Sequence, residues 1–430
     1  MKKRLLSALC AVMLLICAVP MASAQTGDAA RRADALTVLH LLSEDPGRDL
    51  TAPATRAQAA VLLVRLAGGE KKPDTDGWFA GFRDVPDWAR TAANYANRRG
   101  WISGVSNVQF DPNGHLNADA WCAMLLRMLG YSDKTGDFEI SDAAAFAWRI
   151  GLTGRQLIGI LSVGDLAESI YDALDFCYKG TETTVLSRLM DLGVCTASAA
   201  NALGLLNKDY TARQLADRYL SAAFQLSLYE TEEQVHDEVS SADASGFFIS
   251  ADGLAVTNYH SIEDSIKATA TLLNGETYEV ERVLYYDTGI DIAVIKVSRT
   301  NQSRRTTSTF NHLDLVGTAD IRPGDPVYAI GNPLGLGLAI SSGIIGSTAH
   351  ELDRYALPCI VNSADISRGS SGGALMNAHG QVIGVTSGAY TYGNNMYLAV
   401  PVDPVMAADL TVSDWTLKEV KAFEAAKDKD

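Results

Sequence analysis

The sequence predicts a chain in two structural halves, an all-α N-terminal region followed by an all-β barrel or sandwich domain. Three observations carry that expectation. From about residue 28 to residue 228, apolar residues recur at i, i+3, i+4 and i+7, with no clear run of alternating strands. Within that half, helix-like segments repeat. After residue 245 the texture changes to short alternating or β-branched runs, broken by turn signals such as Asp252-Gly253, Asn274-Gly275, Pro323-Gly324-Asp325 and His379-Gly380. A length of 430 residues allows two or three domains. With 47% apolar and 20% charged residues the usage is ordinary for globular proteins, which excludes collagen-like, coiled-coil and wholly disordered chains.

Residues 1–24 read as a secretory signal peptide: Lys2-Lys3-Arg4, an apolar run from Leu5 to Val19, then Ala22-Ser23-Ala24 before Gln25. The run is shorter than the roughly 20 apolar residues that span a bilayer. No other stretch is long and apolar enough, so a secreted product with no integral membrane segment after cleavage is expected. The formal charge of −15 argues against nucleic acid or an anionic membrane surface as the main partner, because either needs a basic face. Cys10 and Cys17 leave with the leader, and Cys122, Cys177, Cys195 and Cys359 stand in no CxxC or Cys/His ligand spacing. They read as structural thiols, and neither a metal site nor a cofactor is expected.

Residues 28–195 form the repeating helical region. Thr55-Arg56-Ala57-Gln58 leads into an apolar helix that ends at Arg65-Leu66-Ala67-Gly68. Leu116-Asn117-Ala118-Asp119 leads into another that ends at Arg127-Met128-Leu129-Gly130, and a weaker third copy starts at Leu161. In the first two a polar start and a closing Arg-x-x-Gly bracket the helix. Before the second copy stand Phe82-Arg83-Asp84-Val85-Pro86-Asp87-Trp88-Ala89, Gly100-Trp101-Ile102-Ser103-Gly104 and Phe110-Asp111-Pro112. These motifs resemble an S-layer homology repeat, well over residues 82–130 and partly over 33–68. The resemblance implies a three-repeat module that binds cell-wall polymer, with Arg56 in the position of a polymer contact. The corresponding stretches of the other copies are Asn117-Ala118-Asp119 and Val163-Gly164-Asp165, so Arg56 alone carries over. A helical spacer or protein-docking module is the alternative reading of this half.

Residues 196–242 are expected to contain one more amphipathic helix, from about Thr211 to Leu228, and then an acidic, solvated linker through Glu230-Thr231-Glu232-Glu233 and Asp237-Glu238. The β domain is expected over 243–408, with a C-terminal helix and charged tail over 409–430.

Three fragments of the β half supply three chemical types: Thr257-Asn258-Tyr259-His260 at a strand end, Asp287-Thr288-Gly289-Ile290-Asp291 before an apolar strand, and Gly369-Ser370-Ser371-Gly372-Gly373. Each alone is commonplace. Together they give the order His260, Asp291, Ser371, that of chymotrypsin-type catalysis. Gly369-x-Ser371-x-Gly373 also satisfies the nucleophile elbow of α/β-hydrolases, but that fold needs an acid and then a histidine after the serine. Only His379 follows, in a turn. In the triad reading Ser371 is the nucleophile and His260 the general base. Asp291 orients the imidazole, and the N–H groups of Gly369 and Ser371 form the oxyanion hole. Asp287 is the rival acid, but its place before Thr-Gly suits a turn carboxylate.

The same fragments, with Ile330-Gly331-Asn332-Pro333-Leu334-Gly335 and Tyr397-Leu398-Ala399-Val400-Pro401, resemble the trypsin-like serine proteases of the HtrA (Deg) type over roughly residues 243–406. The resemblance implies a double six-stranded β-barrel and endopeptidase cleavage of polypeptides, often unfolded exported ones. About 25 residues follow Val405, so the PDZ domain usual in that family is not expected. Ser370 stands where digestive relatives carry an Asp, so their zymogen activation is not implied. Asp365 lies six residues before Ser371, at the position of a trypsin-like S1 base, whereas HtrA-type loops prefer small aliphatic residues. Oligomerisation is common in that family. The competing reading is a non-catalytic wall-binding or scaffold protein with a retired protease domain.

Overall fold

The structure, a computed structural model, describes residues 28–427 apart from 44–47, 70–79, 182, 207–208 and 391–394. The expected signal peptide lies outside the described residues. The chain divides into two compact units. One takes the described residues up to Ala147 together with Arg155–Leu206, and the second takes Trp148–Gly154 and the described residues from 209 onward.

In the first unit helices run over 28–38 (α1), Arg56–Leu66 (α2), Asp87–Arg98 (α3), Ala118–Met128 (α4), Ala143–Arg149 (α5, whose last two residues belong to the second unit), Val163–Ala173 (α6), Val185–Asp191 (α7) and Ala197–Ala202 (α8). Side-chain N-caps open α2, α4 and α6, as they do α7 and α8. Thr55, Asn117 and Ser162 are N-caps whose side chains accept from the backbone N–H of Gln58, Ala120 and Asp165, satisfying a donor the helix itself leaves unpaired. The segments before these caps hydrogen-bond in a ring. Leu116 N–H donates to Ala54 O at 3.0 Å, Leu161 N–H to Leu116 O at 2.9 Å, and Ala54 N–H to Leu161 O at 2.8 Å. Helices α2, α4 and α6 therefore radiate from a closed three-way junction, the copy at Leu161 included. Behind it Leu63, Trp121, Leu125 and Leu166 are fully buried.

In the second unit, α9 covers only Ala212–Tyr219, and the chain then enters a strand, β1 (Ala223–Tyr229). This corrects the expected helix to Leu228 and moves the start of the β domain from 243 back to 223. Phe224, Leu226 and Leu228 are buried while Gln225, Ser227 and Tyr229 are half-buried, a period of two that a helix cannot satisfy. The acidic stretch is likewise a short capped helix, α10 (Glu232–Asp237), between two strands.

The first barrel joins β1 to β2 (Ala242–Phe248), β3 (Leu254–Thr257), β4 (Lys267–Leu272), β5 (Thr277–Asp287) and β6 (Ile292–Asn301), closed in the order β1-β2-β3-β6-β5-β4. The second joins β7 (Pro326–Gly331), β8 (Ala339–His350), β9 (Cys359–Asn362), β10 (Ala374–Met376), β11 (Val382–Ala389) and β12 (Tyr397–Pro401), closed as β10-β11-β12-β9-β8-β7. Two closed six-stranded barrels fit a trypsin-like double barrel, and closure leaves no free sheet edge. Inside the first, the Phe248 and Phe310 rings stack at 4.2 Å with Tyr278 edge-on to Phe310. The C-terminal helix α13, which follows helix α12 (Asp403–Ala407), spans Leu417–Lys427 and buries Leu417 and Val420 in that barrel's core. Cys122, Cys195 and Cys359 are free thiols, and burial pushes Cys122 up to about 12 and Cys359 up to about 11.

Candidate active site

Strand β3 ends at Thr257, and a short helix, α11 (Tyr259–Ile262), lifts His260 at the strand's end. Across from it, the turn joining β5 to β6 delivers Asp291. Asp287 builds that turn: its Oδ1 accepts from the N–H groups of Gly289 (2.8 Å) and Ile290 (3.1 Å), and its carbonyl from Asp291 N–H (3.0 Å). Asp291 itself sits at φ +62°, a left-handed conformation that a non-glycine residue adopts at a cost. Asn258 pins it there, donating from Nδ2 to Asp291 O at 2.8 Å.

Asp291 is 6% exposed and its carboxylate is fully engaged. Oδ1 accepts from the His260 backbone N–H at 2.9 Å, Oδ2 lies 2.7 Å from His260 Nδ1, and Ser387 Oγ donates to Oδ2 at 2.7 Å. Burial pushes the Asp291 carboxyl up, but the hydrogen bonds and charge of His260, with the Ser387 hydroxyl, outweigh it and hold the group below its ordinary value. A carboxylate can only accept, so Nδ1 carries the imidazole proton and Nε2 is left as the basic nitrogen.

Ser371 follows the tight turn Gly369-Ser370. The turn needs its glycines for two reasons, positive φ and close approach. Gly369 is at φ +94° and Gly372 at φ +86°, and a Cβ on Gly372 would lie 2.2 Å from Ser245 O and 2.3 Å from Thr257 Oγ1. The turn is held from the first barrel by one residue. Ser245 N–H donates to Ser371 O at 2.8 Å, and Ser245 Oγ donates to Gly369 O at 2.7 Å while accepting from Asn332 N–H at 2.8 Å. The Arg368 carbonyl accepts from Leu334 N–H at 2.7 Å. Since C=O and N–H point oppositely across a trans peptide, that bond turns Gly369 N–H the other way. Among the described residues, the N–H groups of Gly369 and Ser371 have no hydrogen-bond acceptor. Two open donors next to the hydroxyl are what an oxyanion site requires.

The structure thus brings His260 and Asp291 into direct contact and leaves the Gly369 and Ser371 donors open. Ser371 Oγ is not on His260: it donates to Ser387 O at 3.3 Å. Such bonds are often long or misaligned without substrate, and the hydroxyl must leave that carbonyl before His260 can take its proton. Asp365 is exposed and accepts from the Tyr397 hydroxyl. His379 is exposed in its turn, 3.5 Å from Asp209. Arg56 is committed inside its own unit, donating from Nε to Phe110 O at 2.9 Å and from Nη2 to Ser103 O at 2.7 Å. Among the described residues no group of His, Cys, Asp and Glu is arranged to hold a metal ion. Ser245, Asn258, Leu334 and Ser387 were not singled out from the sequence. Asn258 alone had a local signal, its place two residues before His260.

Residues 244–385 match the trypsin-like peptidase domain. Among curated proteins, the "Probable periplasmic serine endoprotease DegP-like" of Halomonas elongata is 35% identical over 177 residues, 40% of this chain and 35% of that protein. "Serine protease HTRA1A" of Danio rerio is 31% identical over 219 residues, 50% of this chain and 44% of that protein. "Serine protease HTRA2, mitochondrial" of Bos taurus is 36% identical over 171 residues, 39% of this chain and 35% of that protein. The chain therefore spans less than half the length of these relatives. A solved "HtrA-type protease AlgWS227A with tripeptide" covers 46% of this chain and 62% of that one, at 24% identity and a TM-score of 0.39. The matched residues 244–385 include His260, Asp291, Gly369 and Ser371, while Ser387 lies just beyond them.

Proposed function

We propose that the chain is a serine endopeptidase that hydrolyses polypeptides through Ser371, His260 and Asp291. The observation that carries this reading is the His260–Asp291 contact, which places the proton of a neutral imidazole on Nδ1 and leaves Nε2 to accept, together with a serine turn that has two open N–H donors. In the proposed reaction His260 Nε2 takes the Ser371 proton as Oγ attacks the scissile carbonyl. Asp291 stabilises the imidazolium, and Gly369 and Ser371 N–H hold the oxyanion. His260 then protonates the leaving amine, and water resolves the acyl-enzyme by the reverse sequence.

Export to a cell envelope is part of the proposal, supported by the leader-like residues 1–24 and by relatives described as periplasmic. The first unit, with its three-way junction, is proposed as an S-layer-homology-like module. Cell-wall polymer binding through Arg56 is the weaker part, because two carbonyls already hold that guanidinium. For the same kind of reason Asp365 is proposed not to set specificity. It is exposed and occupied by Tyr397, whereas a carboxylate that selects basic residues must be free at the base of a pocket.

The purified chain is expected to cleave an unfolded polypeptide such as reduced, alkylated lactalbumin, and Ser371→Ala to leave it intact. Equal cleavage by the variant would refute the proposed nucleophile. Mass spectrometry of the products is expected to show the same, small aliphatic P1 profile for the parent chain and for Asp365→Asn. A Lys/Arg profile lost in the variant would restore Asp365 as the pocket base.

A further inference from the structure

We infer that Tyr355 is a positioning residue for the catalytic acid, acting through Ser387; the inference rests on the peptidase reading above. Tyr355 lies between β8 and β9, in a segment that turns Tyr355 and, in part, Leu352 inward. Arg354, Ala356 and Leu357 are exposed, while Tyr355 is 8% exposed and belongs to the apolar cluster that includes Ile290 and Leu398. Its hydroxyl is 2.8 Å from Ser387 Oγ, and Ser387 Oγ is 2.7 Å from Asp291 Oδ2.

The direction of these two bonds follows from donor counting. Asp291 is ionised and only accepts, so the single Ser387 hydrogen is spent on Oδ2. What Ser387 offers Tyr355 is a lone pair, and Tyr355 must donate. The chain therefore runs one way, from Tyr355 O–H to Ser387 O–H to the Asp291 carboxylate, which in turn receives Nδ1–H of His260. A hydroxyl that accepts a bond is a better donor and has one rotor setting in place of three. Without Tyr355 the Ser387 hydroxyl is less narrowly set, and the bond that holds Asp291 Oδ2 at 2.7 Å from His260 Nδ1 is weakened. The residue next to Tyr355 braces the same acid from its backbone side: Ala356 N–H donates to Gly289 O at 2.7 Å, inside the turn that delivers Asp291.

The test is a double-mutant cycle with Tyr355→Phe, Ser387→Ala and both together in the full chain, with thermal midpoints measured to show that each is folded. Phe keeps the ring and removes only the donor. Tyr355→Phe is expected to lower kcat about five- to twentyfold with KM within about twofold. In the Ser387→Ala background the same change is expected to cost nothing further, because the route to Asp291 is already cut. Tyr355→Phe that turns over like the parent, or that costs as much without Ser387 as with it, would overturn the inference. The far-downfield proton NMR signal of His260 Nδ1–H is a second readout that needs no turnover. It is expected to move in Tyr355→Phe and to show no further change when Tyr355→Phe is added to Ser387→Ala. A chain with no Ser371-dependent hydrolysis would sink the peptidase reading, and the NMR cycle would still decide whether Tyr355 positions Asp291.

Discussion

Asp291→Asn is expected to reduce kcat/KM by about four orders of magnitude while leaving the chain folded. Asn is nearly the same shape and is among the few side chains that tolerate the φ of +62° found here, so backbone strain does not confound the result. The orientation of the new amide is set in advance. His260 backbone N–H donates to Oδ1 at 2.9 Å, so the Asn oxygen takes that place and its NH2 group falls where Oδ2 now lies, 2.7 Å from Nδ1. A donor there forces the imidazole proton onto Nε2, the nitrogen that must accept the Ser371 proton. The substitution therefore produces the wrong tautomer rather than a hole.

The same variant reads out a pH dependence of stability. The Asp291 carboxyl is held below its ordinary value in the folded chain, so the unfolded chain binds the proton more readily. Its contribution is complete above the ordinary carboxyl range and is lost as pH falls through the lowered folded value. The stability difference between the parent chain and Asp291→Asn, followed by urea unfolding across pH, is expected to shrink on acidification over that window. A difference that stays constant with pH would mean that Asp291 is not held ionised by His260 and Ser387.

Gly372→Ala is expected to be strongly disruptive. The new Cβ meets Ser245 O at 2.2 Å and Thr257 Oγ1 at 2.3 Å, and φ is +86°. Neither neighbour can retreat at low cost, because Thr257 Oγ1 donates to that same Ser245 oxygen at 2.8 Å and Ser245 N–H holds Ser371 O. The expected result is a loss of activity of at least about 100-fold and destabilisation of roughly 2–4 kcal/mol by urea unfolding. Gly346→Ala, where the nearest atom is an ordinary 3.5 Å away and φ is not positive, is the matched control and is expected to be near neutral for stability. Equal behaviour of the two would mean that the nucleophile turn is not gripped by Ser245 and Thr257.

What could be read in advance had a local physical signature. The turn Asp287-Thr288-Gly289-Ile290-Asp291 places one carboxylate inside the turn and one at its exit, and only the second meets His260. Closely spaced turn signals announced the barrels after residue 245. Strand β1 escaped because Ala222-Ala223-Phe224 continues the composition of α9, and only the buried alternation of Phe224, Leu226 and Leu228 marks the change of period. Ser245 and Ser387 could not be found locally at all. They matter because the packing of one barrel against the other brings Ser245 to Gly369 and Ser371, and Ser387 to Asp291, more than 90 residues away in the chain. Arg56 shows the converse: the motif marked it as a contact to an outside polymer, and only the fold brings the Phe110 and Ser103 carbonyls onto two of its five N–H groups.

The most direct test of the central claim is reaction of the purified full chain with a fluorophosphonate probe, read by intact mass and peptide mapping, with Ser371→Ala alongside. The probe reports an activated serine whatever the natural substrate. One adduct per chain, on Ser371 and absent from the variant, is the expected result. A folded parent chain that takes up no adduct, or the same adduct as Ser371→Ala, would contradict it.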